Sequence, residues 1–262
     1  MKVFLTGASS GIGVALANAF AESAAAGTLT LGLFARRREA LDAVATDIRA
    51  KFGQDVVCYT GDVRLFDDLR VAGAEFVERF GAPDVVVANA GVSRGTMTEY
   101  AEDIPAFAAV FETNVMGIVH TFHPFIAPMR AAGRGTLVGI ASVAGIRGLP
   151  GSGAYSASKS AAITYLESLR VEEQKSGIAV VTICPGYIAT NMTAKNPYKM
   201  PFLLQPDDAA RRMLRVIEAR RRYAVVPWQM AIVARLLRVL PRALFDRAFA
   251  NVKRKPRAGS GS

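Results

Sequence analysis

A tyrosine and a lysine four residues apart, Tyr155 and Lys159, sit in the Ser/Ala-rich stretch Ser152 to Ala162. Glycine and proline precede this stretch and no further breaker follows until Gly177, which predicts a loop running into a helix. At i and i+4 the two side chains share one helix face. A free phenol titrates at about pH 10, too high for proton transfer at neutral pH. A fixed ammonium one turn away favours the phenolate and lowers that value. Such a pair can give or take a proton at a carbonyl or alcohol oxygen. The same spacing also suits an ordinary exposed Tyr and Lys, so the reading depends on what else the chain supplies.

The elements that would position this pair alternate in type. Lys2 to Thr6 reads as a strand, followed by Gly7-Ala8-Ser9-Ser10-Gly11-Ile12-Gly13 and an Ala-rich helix to about Ala25. Strand, glycine loop and helix form the context of a dinucleotide-binding loop, in which helix N–H groups face a pyrophosphate. Gly7 and Gly11 permit tight turning, and Gly13 lets the helix approach the strand. Further strands are expected at Leu29–Ala35, Val56–Thr60, Pro83–Val87, Gly135–Ala141, Ile178–Cys184 and Tyr223–Pro227. Helices are expected over Glu39–Phe52, Leu65–Phe80, most of Tyr100–Met129, and from Pro206. This alternation predicts an α/β fold, a doubly wound and mostly parallel Rossmann-type sheet flanked by helices. We read residues 1–226 as one catalytic domain, with a lid at about 191–205, and 227–262 as its basic amphipathic extension.

About 20 positions after a nucleotide loop, an acid binds the ribose 2′-hydroxyl of NAD, whereas arginine accommodates a 2′-phosphate. Here that place holds Ala35-Arg36-Arg37-Arg38, which favours NADP(H). The strand ending in Asn89-Ala90-Gly91 and the one ending before Ser142 deliver polar groups to the sheet's carboxyl edge, where such folds bind ligands. His120 and His123, three apart, lack a third ligand nearby and read as packing residues rather than a metal site. Cys58 and Cys184 lie in apolar strands and read as buried thiols of a cytoplasmic protein.

In order and spacing these residues resemble the short-chain dehydrogenase/reductase family. The matching features are Thr6-Gly7-x-x-x-Gly11-x-Gly13, Asp62-Val63, Asn89-Ala90-Gly91, Asn114, Ser142, Tyr155-x-x-x-Lys159 and Pro185-Gly186 with Thr190, spanning about residues 2–191. The resemblance implies that Tyr155 is the general acid in reduction and the base in oxidation. It implies that Lys159 lowers the tyrosine pKa and holds the nicotinamide ribose, and that Ser142 polarises the substrate carbonyl. Asn114 would hold a water linking Lys159 to solvent. The cofactor would lie on Gly7, Ser9, Ser10, Gly11, Ile12 and Gly13, with Arg36 and Arg37 at its 2′-phosphate. Asp62 and Val63 would meet the adenine, and Asn89, Ala90 and Gly91 would also contact the cofactor. Pro185, Gly186, Ile188 and Thr190 would orient the carboxamide. The resemblance also implies homodimers or homotetramers, and its scheme needs no metal.

The chain has 262 residues, 51% of them hydrophobic, and a formal net charge of +10. From Arg211 onward 14 Lys and Arg face two acids, a net of +12, whereas residues 1–210 hold 18 basic and 20 acidic residues. This asymmetry suggests an anionic surface partner. Trp228 to Phe249 reads as an amphipathic basic helix interrupted at Pro241, and Lys253-Arg254-Lys255 adds a basic cluster. Two readings stand for this region: helices capping the substrate pocket or a second subunit, and a helix lying on an anionic membrane surface. No recognition motif points to nucleic acid, and no apolar run approaches the roughly 18 residues of a membrane span. The closing Ala258 to Ser262 reads as a flexible tail. The expected activity is NADPH-dependent reduction of a ketone or aldehyde with an apolar, lipid-like body, or the reverse alcohol oxidation. An NADP(H)-binding sensor with little turnover is the alternative.

Overall fold

The computed structural model describes residues 1–194 and 196–257; the closing stretch from Ala258 lies outside them. Strands β1 (Lys2–Thr6), β2 (Thr30–Ala35), β3 (Asp55–Thr60), β4 (Val85–Ala88), β5 (Gly135–Ile140), β6 (Ile178–Pro185) and β7 (Tyr223–Val226) alternate with helices. They form one sheet in the order β3-β2-β1-β4-β5-β6-β7, each pair parallel. Period-two alternation divides their side chains between two cores. On one face Val3, Leu5, Leu31, Leu33 and Val87 pack against α1 (Gly11–Ser23), α2 (Arg38–Phe52) and α7 (Pro206–Glu218) through Leu16, Phe20, Leu41, Ile48, Met213 and Ile217. On the other, Phe4, Phe34, Val86, Leu137 and Val180 meet α3 (Phe66–Phe80), α5 (Gly117–Ala132) and α6 (Gly153–Glu172).

Strand order reverses between β1 and β4, which opens a crevice at their carboxyl ends. Most expected and observed elements agree to within a residue or two, although α5 runs three residues past the expected Met129, and one local difference stands out. Between α4 (Ile104–Phe111) and α5 the helix widens into a π segment at Glu112–Met116, and Asn114 lies in it. Cys184 is buried as expected, but Cys58 is only half-buried, because β3 is an edge strand of the sheet.

The C-terminal region forms α8 (Trp228–Val239) and α9 (Arg242–Phe249), broken at Pro241 as expected. Met230 and Ala234 bury one side of α8, and Met230 covers Gly186. Arg147, in the loop after β5, donates from Nη1 to the carbonyls of Leu237 (2.9 Å) and Leu240 (3.0 Å) and stacks over Phe245 at 4.2 Å. These contacts tie both helices to the loop that leads into α6. Among the described residues no helix is long and apolar enough to cross a membrane.

Candidate active site

The glycine loop is held from behind. Asn89, just past β4, donates from Nδ2 to the carbonyls of Thr6 (3.0 Å) and Gly7 (3.3 Å). Thr6 Oγ1 accepts from Asn89 N at 3.2 Å, joining β1 to β4 at the crevice. A Cβ on Gly13 would lie 2.1 Å from Gly7 O, so the first turn of α1 rests on the loop's own backbone. Gly13 therefore packs behind the loop, as its expected role in close helix–strand approach requires. Helix α1 starts at Gly11 with no acid in its first turn and, among the described residues, no capping side chain. Its first N–H groups are left for an anion.

A cleft of about 350 Å³ runs along the carboxyl edge. Gly7, Ser9, Ser10, Gly11 and Ile12 line its floor, and Arg36, Arg37, Asp62 and Val63 line one end. Asn89, Ala90 and Gly91 form the middle, while Pro185, Gly186, Ile188 and Thr190 form the wall opposite. Arg37 donates from Nη2 to Ser9 O at 2.9 Å, which bridges the end of β2 to the glycine loop. Asp62 is bound by Arg64 through Nε (2.9 Å) and Nη2 (2.6 Å). Burial raises the Asp62 pKa, but the Arg64 hydrogen bonds outweigh it and hold the carboxyl below its ordinary range. The acid expected at the adenine is thus already committed to an arginine.

Ser142, Tyr155 and Lys159 line the other end of the same cleft. Ser142 follows β5 and caps the short turn Val143–Gly145, its Oγ accepting from Ala144 N at 3.1 Å. That bond occupies an acceptor position and leaves the hydroxyl proton to donate. Tyr155 is half-buried and Lys159 is buried, one turn further along α6. Lys159 Nζ donates to Ile140 O at 2.8 Å and lies 5.9 Å from the Tyr155 ring centroid. Burial pushes the Lys159 pKa down to about 8. Burial also raises the Tyr155 pKa, against which a hydrogen bond with Ser142 works. The expected lowering by Lys159 therefore does not prevail here: the lysine is bonded to the sheet, and desolvation sets the phenol's direction.

Asn114 stands close to Lys159: a Cβ on Gly91 would lie 3.2 Å from Asn114 Oδ1 and 3.4 Å from Lys159 Nζ. It is wholly buried under the cleft, its Oδ1 accepting from Val92 N (2.8 Å) and its Nδ2 donating to Val92 O (2.9 Å) and Ser158 Oγ (3.0 Å). Its side chain ties the strand β4 loop to α6. The π segment turns it inward, a feature that helical periodicity could not reveal. His120 Nδ1 lies 2.9 Å from Val63 O, and both His120 and His123 stack edge-on against Phe66. Among the described residues no group of three potential metal ligands comes together. Asn191, Met192 and Thr193, from the segment expected as a lid, enter the cleft after Thr190, whereas sequence reasoning missed Thr6 as a positioning group. A polar residue closing an apolar strand was the available signal for Thr6.

Comparison with known proteins matches these features. A family model described as short chain dehydrogenase covers residues 1–200. An uncharacterized oxidoreductase of Myxococcus xanthus is 41% identical over 168 residues, 64% of this chain and 66% of that one. One from Mycobacterium tuberculosis is 34% identical over 255 residues, 94% of this chain and 96% of that one. Among solved structures, L-sorbose reductase from Gluconobacter frateurii, complexed with NADPH and L-sorbose, superposes with a TM-score of 0.76. It is 25% identical, with 86% of this chain and 94% of that chain covered.

Proposed function

The chain belongs to the short-chain dehydrogenase family of oxidoreductases, and from that premise we propose that it is an NADP(H)-dependent carbonyl reductase and alcohol dehydrogenase. One observation carries the reading. A single cleft has Arg36 and Arg37 beside the glycine loop at one end and Ser142, Tyr155 and Lys159 at the other.

The residues fit a nicotinamide dinucleotide phosphate. The α1 N-terminus suits the pyrophosphate, and Arg37, already bridged to Ser9 O, suits a 2′-phosphate beside Ser9 and Ser10. An NADPH-bound reductase among the structural neighbours supports this choice. When bound, the nicotinamide supplies the hydride; the chain supplies position and protons. Ser142 would donate a hydrogen bond from its hydroxyl to the substrate oxygen and so polarise the carbonyl. Tyr155, protonated at neutral pH by its raised pKa, would give its proton to that oxygen as negative charge grows on it. Lys159, still cationic below about pH 8, would stabilise the phenolate left behind and meet the ribose hydroxyls. Oxidation runs these proton steps backwards. Asn114 would act by keeping α6 in register with the β4 loop.

The substrate is proposed to be a ketone or aldehyde with an apolar body, since Val92, Ile188 and Met192 line the same cleft as Ser142 and Tyr155. A sensor that binds NADP(H) with little turnover is the second reading, and the intact Ser142, Tyr155 and Lys159 set argues against it. We further propose self-association through the α4–α5 side, where Ile104, Phe107 and Met116 are exposed. Contact of α8 with an anionic membrane is supported by an exposed stripe of Trp228, Ile232, Leu236 and Val239 beside Arg235 and Arg238. Sedimentation with anionic vesicles, lost on Trp228→Glu, tests that contact.

The deciding experiment compares NADPH oxidation by the native chain and Tyr155→Phe over a panel of apolar ketones. The variant should lose turnover by about 10²-fold or more with NADPH affinity unchanged. Equal turnover in the variant sinks Tyr155 as the acid. Tight NADPH binding with no turnover by the native chain favours the sensor.

A further inference from the structure

The basic cluster before the C-terminus, left without a role by the cofactor chemistry, folds back onto the substrate side of the cleft. Gly95 pairs with Arg257 in an isolated parallel bridge, and Thr96 pairs in the same way with Ser152. Three strips of backbone therefore lie side by side: the tail, the loop after Gly91 and Val92, and the turn leading to Tyr155. The approach is close, since a Cβ on Gly95 would lie 2.3 Å from Pro256 O. The adenine end, marked by Arg36 and Arg37, is at the other side of the sheet's switch point.

Arg257 anchors this strap. Its guanidinium lies 3.2 Å over the Tyr100 ring, 2.9 Å from Oδ2 of the buried Asp103 and 3.6 Å from Glu102. Two of the three acids of this loop, Glu102 and Asp103, are thereby engaged by Arg257. Lys255, two residues earlier, has a different environment. It is half-buried, and its Nζ donates to Ser93 Oγ at 2.8 Å. Among the described residues no carboxylate lies within ion-pair distance of it. Burial alone moves its pKa, and downward. Ser93 follows directly on Val92, which lines the cleft. A partly desolvated ammonium with one neutral partner is costly unless an anion joins it.

We propose that Lys255 recognises a carboxylate on the substrate, so that the preferred carbonyl compound is an oxo acid whose charged end lies at Ser93 and the C-terminal strap. The inference rests on the carbonyl-reductase reading of the same cleft. It narrows the substrate to a molecule with an apolar middle, between the reacting carbonyl at Tyr155 and the carboxylate at Lys255. Arg257 has the separate task of holding the strap in place.

The test uses the full chain and a ladder of straight-chain oxo acids, from acetoacetate upward, each beside its methyl ester. NADPH oxidation gives KM and kcat for the native protein and for Lys255→Met. Thermal shift with NADPH checks that the variant is folded and binds cofactor. The acids should be preferred over their esters by the native protein. Lys255→Met should raise KM for the acids about 10- to 100-fold, with kcat and the esters little changed. Ser93→Ala should give a smaller shift in the same direction. Esters turned over as well as acids by the native chain, or equal losses on both in Lys255→Met, would overturn the inference while leaving the reductase reading intact. If none of these compounds is turned over while apolar ketones are, the inference fails and the reductase reading stands; if the ketones fail too, both fall.

Discussion

Lys159 Nζ is bonded to Ile140 O at 2.8 Å and stands 5.9 Å from the centre of the Tyr155 ring. Lys159 is thus pinned to the end of β5, and its charge is held in a site that burial makes unfavourable. Its pKa falls from 10.5 to about 8, so the unfolded chain binds its proton more tightly than the folded one. Charging Lys159 therefore costs stability, by about 3 kcal/mol if the full shift counts. Lys159→Met should raise the unfolding free energy by about 1–3 kcal/mol at pH 7 while abolishing turnover. The gain should shrink as pH rises from about 8 towards 10.5, where the native lysine is neutral in the folded state. Urea unfolding of both proteins at the two ends of that range checks it; a destabilised variant rejects the argument.

Rate should follow the same titration. Reduction needs the ammonium beside the phenolate that forms, so kcat/KM for NADPH-dependent reduction should decline as pH passes about 8. A profile that stays flat through that region would remove Lys159 from the proton-transfer step.

Arg37 reaches Ser9 O at 2.9 Å, while Arg36 lies 3.9 Å from Asp62, at the outer end of the cleft. Arg37→Ala should weaken NADPH binding by about 10- to 100-fold, the effect of one charged hydrogen bond, with NADH little changed. Adding Arg36→Asp should carry the preference to NADH. Fluorescence titration with both cofactors measures the ratio, and an unaltered ratio rejects the 2′-phosphate assignment.

Gly13→Ala would set a methyl carbon 2.1 Å from Gly7 O, a contact the backbone must move to relieve. The expected result is loss of cofactor binding with a stability cost of about 2–4 kcal/mol. Thermal shift with and without NADPH separates the two effects. Normal binding by this variant would mean that α1 can withdraw from the loop.

Glu173, fully buried at the end of α6, accepts from Arg130 Nε at 2.9 Å, joining α6 to α5. The Arg130 hydrogen bond holds its carboxyl below the ordinary value of 4.5. A depressed folded pKa adds stability that is complete above 4.5 and fades as pH falls through the folded value. Glu173→Gln should lower stability at pH 7 by about 1–3 kcal/mol and flatten its dependence on pH below 4.5. Denaturation curves at neutral and acid pH provide the comparison.

Much of this arrangement could be read from the residues because its causes are local. Alternation in β1 and β2, glycine and proline at element ends, and the Tyr155–Lys159 spacing each act over a few positions. Gly13 at its close approach was foreseen for the same reason. Other features depend on partners far along the chain. Asp62 is occupied by Arg64, which only side-chain geometry reveals. Asn114 turns inward because a π segment breaks the helical period, and its bonds reach Val92 and Ser158, up to 44 residues away. The pairing of Lys255 with Ser93 spans 162 residues. An amphipathic pattern such as that of α8 declares which side is apolar, but not what covers it.

Arg147 also bears on how this protein could diversify. It holds the ends of α8 and α9, and the strap beyond them pairs with the loop around Gly95. The three segments are scattered in sequence yet meet as one unit beside Ser142 and Tyr155. A chimaera that exchanges the last quarter of the chain with a relative would therefore lose its fit unless the loops at 93–103 and 143–152 came from the same parent. Recombination among such proteins should transmit these pieces together, so that substrate preference is inherited as a matched set while the cofactor half remains interchangeable.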